Sequence, residues 1–391
     1  MEAPPYDVDF YSDAVIADPL PHYRAMQALG PVVWLPAQNA YAFVSYKAVM
    51  DGLRRPNVFQ SGRGLSLNDA VNQNLVGSTL NTDGEKHTRK RMITAPPITP
   101  IPLEPLEPQI AEAADHLAED LVAKGAFDAV TDFAQILPLR FVIELVGLPD
   151  AGSAKMLKWA SATFNVFEGF NDRSKAAFAD IAELQAFLAE YGQKVRLKKG
   201  GLARRIFEVA EDNGLTQAEA AQQMRDYINP SLDTTISVAG FAAWHFAKSP
   251  DQWDKLRAAP ELVDGAIEEL VRLTTPIRAF SRYVGEDTQV EGTSIPKDSR
   301  VIIVYAAANR DPAMFEDPDR FDIARSARRH MGFGHGKHMC IGMHLARIEL
   351  RNLLLAMARR VASWEIAGEA EIAFNNTIRA FKYLPVKVTP L

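Results

Sequence analysis

Apolar residues recur every three to four positions along much of this chain, as expected of helices with one buried face. The spacing predicts helices over 19–29, 45–53, 85–94, 108–124, 134–147, 151–167, 174–198, 202–212 and 343–360. Gly30-Pro31, Pro149 and Gly200-Gly201 interrupt the pattern. Ser45 is placed to cap the second helix. Thr216 and Glu219 form a capping-box pattern that opens a run to 248, read as one helix longer than is usual in globular proteins. Short apolar runs at 32–35, 41–44, 301–308, 374–378 and 383–388 read as strands. The class expected is α+β, mainly α with small β-sheets. Residues 61–83 lose all periodicity and are rich in Gly, Asn and Ser. A loop of that length in a compact protein is usually functional or mobile.

Composition narrows the picture. With 391 residues, 47% of them hydrophobic and 24% charged, the chain can bury a large core. No linker, repeat or low-complexity tract divides it, so a single domain over 1–391 is expected. A net charge of −6 argues against nucleic acid as partner. The one cysteine excludes an intrachain disulfide and fits a reducing cytoplasm. The first residues, Met1 to Asp7, lack the basic and apolar regions of a signal peptide. No apolar run approaches the ~20 residues that span a bilayer. A soluble cytoplasmic monomer with no membrane partner is the expectation.

The chemistry centres on that cysteine. Cys340 lies in Phe333-Gly334-His335-Gly336-Lys337-His338-Met339-Cys340-Ile341-Gly342, just before the predicted helix 343–360. Glycines let the backbone approach something flat, and a helix N-terminus favours a thiolate. A lone cysteine also reads as a small buried hydrophobe. The neighbours decide between the two.

The ten residues fit F-G-x-G-x-H-x-C-x-G, which resembles the haem-binding loop of the cytochrome P-450 family. The resemblance extends from about Pro19 to Val388. It implies haem b with Cys340 as the iron ligand, packed by Phe333 and Gly334. It further implies that His87, Arg91, Arg282 and His338 bind the propionates. His87 and Arg91 share one face of the helix 85–94. By themselves they read as a solvated basic face.

In the 216–248 run, Asp233-Thr234 matches the family's acid–alcohol pair. Heterolysis of an O–O bond needs protons delivered to the distal oxygen, and a carboxylate beside a hydroxyl can relay them. Pro230 and Ser231 stand where the family has Ala or Gly followed by Gly. Pro230 predicts a kink, since it removes a donor to the Asp226 carbonyl. Ser231 is expected to help hold the relay water. Glu269, Arg272 and Arg320 match a structural triad of the family, and read alone Glu269 and Arg272 are an i,i+3 pair.

What the resemblance implies for function is monooxygenation: one atom of O2 enters a small hydrophobic substrate. No flavin or iron–sulfur motif occurs, so electrons are expected from a ferredoxin-type donor with its reductase. Lys337, Arg347 and Arg351 are a candidate basic docking patch, or a solvated helix face. Leu80, Phe164, Phe167, Asp226, Asn229, Pro230, Ile277 and Phe280 are the candidate substrate-pocket residues. The phenylalanines read either as core or as a flat aromatic site. With no cation in 72–80, a neutral aromatic that is hydroxylated or O-demethylated is expected. A terpenoid hydroxylase, a haem-thiolate peroxygenase and a non-catalytic haem sensor are the alternatives.

Overall fold

The computed structural model describes residues 1–75, 78–167, 170–191 and 193–391. It is mainly helical with small sheets, as expected. The largest sheet has five strands, in the order Val32–Leu35, Ala40–Phe43, Arg300–Ile303, Phe280–Val284, Phe59–Gln60. Its first two strands pair antiparallel, Val32 opposite Phe43. Ala40–Phe43 runs parallel to Arg300–Ile303, with Tyr41 opposite Val301. Ser45 caps the helix Tyr46–Arg54, its Oγ accepting from the Ala48 amide at 3.1 Å. Among the described residues, no helix is long and apolar enough to cross a membrane.

Several predicted elements change on folding. The run 301–308 is a strand only as far as Ile303; the buried helix Tyr305–Ala308 follows. Residues 374–378 form no strand. Glu371–Ile372 pairs with Phe381–Tyr383 instead, and Pro385–Pro390 joins Val361–Ile366 and Ala126–Asp128. The irregular stretch 61–83 carries a helix, Asp69–Leu75, and its positions 76 and 77 lie outside the described residues.

The 216–248 run is not one helix. It divides into Gln217–Gln223, Arg225–Ile228 and Asp233–Lys248. The capping box forms as predicted, Glu219 Oε2 accepting from the Thr216 amide at 2.9 Å. Pro230 does more than kink the run: with its donor missing, helical bonding stops at Ile228 and resumes at Asp233. The last piece is buried on nearly all sides, so it forms the centre of the core.

A buried ion network braces the far side of that core. Glu269 is fully buried and accepts two bonds from Arg272, at 2.7 and 2.8 Å. The second cation is Arg325, whose Nε lies 3.0 Å from Glu269 Oε1. Arg320, expected in this place, points to solvent and bonds Asp322 at 3.2 Å. The chain turns after Phe321, and the Asp322 amide reaches Glu269 Oε1 at 3.2 Å, which brings Arg325 rather than Arg320 inward.

Candidate active site

The Cys340 loop is shaped by two glycines with positive φ, Gly334 at 68° and Gly336 at 70°. A Cβ on Gly336 would also come within 3.0 Å of the Leu53 carbonyl oxygen. The Cys340 amide donates to the Phe333 carbonyl at 2.8 Å, which closes the loop just before the helix Met343–Ala358. The sulfur opens onto a cavity yet is enclosed by surrounding protein. Burial raises the thiol above its ordinary pKa, while the Gly342 and Met343 amides and the Arg91 and Arg347 charges pull it down. A bound metal would displace the proton outright.

Phe333, Gly334, His338, His87, Arg91 and Arg282 line the same cavity as Cys340. The helix Gly84–Thr94 supplies His87 and Arg91 from one face, as their spacing predicts. The His87 and His338 rings lie 4.2 Å apart between centroids. Burial and the neighbouring cations push His87 down to about 4, so it is neutral at pH 7, and its Nε2 is buried without a partner. Arg91 donates to the Met339 carbonyl at 2.6 Å, and Arg282 to the Ser281 carbonyl at 2.7 Å. His338 lies 3.7 Å from Asp83. Asp83 in turn accepts from the Ser61 and Gly62 amides at 3.1 and 2.7 Å, tying down the start of the covering stretch.

This arrangement fits haem. A single sulfur cannot hold a metal ion alone, and among the described residues no cluster of three His, Cys, Asp or Glu is placed to do so. The remaining donors have to come with the bound group. Cationic and donor side chains gather on its wall, and the orphaned His87 Nε2 needs a hydrogen-bond partner.

The other part of the cavity is aromatic. Phe164 and Phe167 meet edge to face at 5.8 Å, and Phe167 meets Phe280 at 5.8 Å. All three line the cavity, as do Leu80, Asp226, Asn229, Pro230 and Ile277. Ser231 and Thr234 line it too, but both hydroxyls donate back along the chain, Ser231 to the Tyr227 carbonyl and Thr234 to the Pro230 carbonyl at 3.1 Å. The Ser231 proton is therefore engaged rather than free for a relay water, because the broken helix leaves carbonyls exposed beside it. Asp233 is buried just behind the wall, and burial raises its pKa to about 7. The Asp226 carboxylate is taken by Thr79, through its amide at 3.1 Å and its hydroxyl, and burial raises it to about 6.

Two cavity residues escape sequence reasoning. Arg225 is buried and lines the cavity; its only signal is standing one helical turn before Asn229. Glu349 lies on the helix after Cys340, its Oε1 buried without a partner and its pKa raised by burial to about 8. Its signal is an acid between Leu345 and Leu353 on an apolar stripe. The basic patch reads differently in three dimensions. Arg347 pairs with Glu268 at 2.7 Å and Arg351 with Asp264 at 2.7 Å, leaving Lys337 exposed in the Cys loop.

Comparison with known proteins agrees with this geometry. The cytochrome P-450 family model matches residues 183–372. Cytochrome P-450 CYP199A2 of Rhodopseudomonas palustris is 35% identical over 390 residues, covering 99% of this chain and 93% of the relative. Linalool 8-monooxygenase of Pseudomonas putida is 30% identical, with 98% of each chain covered. The crystal structure of CalO2 superposes with a TM-score of 0.85 at 26% identity, covering 98% of this chain and 99% of that one. The chain belongs to the cytochrome P-450 family and is a monooxygenase of that family.

Proposed function

We propose that residues 1–391 act as one haem-thiolate monooxygenase domain that hydroxylates or O-demethylates a small neutral aromatic substrate. The observation that carries this reading is the convergence on one cavity of Cys340, the cations Arg91 and Arg282, and an edge-to-face set of Phe164, Phe167 and Phe280. Haem b, when bound, supplies the reduction of O2 and the insertion of one oxygen atom into the substrate. Cys340 would hold its iron through sulfur, with the Gly342 and Met343 amides supporting the thiolate charge. Arg91, Arg282, His338 and neutral His87 would hold the propionates. The phenylalanines orient a flat ring and exclude water from it. Asp233 holds and passes a proton, and Thr234 offers its oxygen lone pairs to a water on that route.

The electron donor in this proposal is a separate ferredoxin with its reductase, docking near Lys337, and the protein works in the cytoplasm as a monomer. A second reading, a carboxylated aromatic, is favoured by Arg225 in the cavity wall. The relation to linalool 8-monooxygenase favours a terpenoid.

Titration of the haem-loaded protein separates these readings. Neutral phenols and anisoles are expected to shift the Soret band to its high-spin position at lower concentration than benzoates or terpene alcohols. A shift with benzoates alone assigns the pocket to Arg225 and an acidic substrate. A shift with terpene alcohols alone removes the aromatic reading.

A further inference from the structure

Outside the cavity, the least compensated charge lies where the N-terminal segment, the helix Leu20–Leu29 and the C-terminal loop meet the approach to the strand Phe280–Val284. Arg278 is 1% exposed. Its Nη2 donates to the Asn376 carbonyl at 2.7 Å, and its guanidinium carbon lies 5.2 Å from the centre of the Phe10 ring. Nε and Nη1 are buried and have no partner. Tyr23, also 1% exposed, holds its ring 6.5 Å from that of Phe10, and its Oη is buried and unpartnered. Arg379 adds a second cation. It is half-buried with its guanidinium carbon 4.9 Å from the Phe241 ring; burial and the Arg278 charge lower its pKa, while Tyr23 and the Asp18 carboxylate raise it through space. Among the described residues, no carboxylate forms an ion pair with either arginine.

Buried donors are almost always satisfied, and a buried charge is normally paired. Guanidinium groups donate only, and the free capacity of Tyr23 includes an O–H donor. A water accepts at most two of these bonds and brings no charge. A desolvated anion satisfies both needs. The main chain fixes Arg278 in place: its amide donates to the Thr377 carbonyl at 3.0 Å, and its own carbonyl accepts from the Ala306 amide at 3.1 Å. Ile277 and Phe280, to either side, line the substrate cavity.

We propose that Arg278, Arg379 and Tyr23 form an internal site for a small monovalent anion of the halide class, set behind the wall of the substrate cavity. An occupied site offsets one of the two arginine charges and steadies the segment that carries Phe280 and Arg282.

Thermal unfolding of the haem-loaded protein in sodium chloride and in sodium gluconate, at equal ionic strength, tests this. The midpoint is expected to rise with the logarithm of chloride concentration once chloride exceeds its dissociation constant, as for any ligand bound only by the native state, and Arg278→Met is expected to abolish the rise. Tyr23→Phe removes one O–H and moves the onset of the rise to about tenfold higher chloride. Crystals grown in bromide are expected to give an anomalous peak within hydrogen-bond reach of Arg278 and Tyr23. If Arg278→Met does not fold, Tyr23→Phe and the bromide crystals decide. Equal midpoints in the two salts, an unchanged chloride response in Tyr23→Phe, or a water with no anomalous signal at this position would overturn the proposal.

Discussion

Glu269→Ala is expected to cost the fold about 3–5 kcal/mol and to yield little haem-loaded protein. The carboxylate is fully buried and holds two guanidinium groups, Arg272 at 2.7 and 2.8 Å and Arg325 at 3.0 Å. Removing it strands the Arg272 charge where water cannot reach it and takes from Arg325 its buried partner. Arg272 also donates to the Asn309 and Pro318 carbonyls at 2.8 and 2.7 Å, so the network holds together the segments that lead into the Cys340 loop. Arg325→Ala breaks the same network from its outer edge. Arg320→Ala changes stability by no more than about 0.5 kcal/mol, since its ion pair with Asp322 is at the surface. Denaturant unfolding of the three variants, with the haem-to-protein ratio of each, gives the ranking. An Arg320→Ala variant as damaged as Arg325→Ala would refute this assignment.

Asp233→Asn is expected to lower coupled turnover about 100-fold and to divert reducing equivalents to free peroxide. Asp233 is buried beside Thr234, and desolvation raises its pKa to about 7. Below that value it keeps a proton that it can pass on; above it the carboxylate is ionised and the donor is lost. Wild-type turnover is therefore expected to fall as pH rises through about 7, and the asparagine variant lacks that limb. Stability has the same sign. The folded state keeps this proton to a higher pH than the unfolded chain does, so stability declines as pH rises from the ordinary carboxylate range through about 7. A turnover profile unchanged by the substitution would remove Asp233 from the proton route.

Much of this was legible because local rules acted alone. The Cys340 loop needs Gly334 and Gly336 for backbone reasons, and the Ser45 and Thr216 caps are satisfied within three residues. The spacing of His87 and Arg91 carries directly into a shared helix face. Other features depend on contacts that no window of sequence contains. The apolar run 301–308 turns from strand to helix after Ile303, where pairing with Phe280 ends. Arg320 and Arg325 are both arginines in an irregular segment, and only the turn after Phe321 selects between them. Pro230 announced a bend, but a full helix break follows because the Ser231 and Thr234 hydroxyls satisfy carbonyls that the helix gives up. Arg225 and Glu349 stayed hidden because a charge on an apolar helix face looks like noise until the cavity behind it is seen. Arg347 and Arg351 failed as a basic patch for the opposite reason: their partners, Glu268 and Asp264, are about eighty residues away in sequence.

On the proposed reading, Cys340 would serve as the thiolate ligand of a haem in the cavity lined by His87, Arg91 and Arg282. The CO difference spectrum of the reduced, haem-loaded protein tests it most directly. The wild type is expected to give the long-wavelength Soret band of a thiolate-ligated haem, and Cys340→Ser is expected to lose that band while still folding. A short-wavelength band in the wild type, or a long-wavelength band retained by Cys340→Ser, would contradict the assignment.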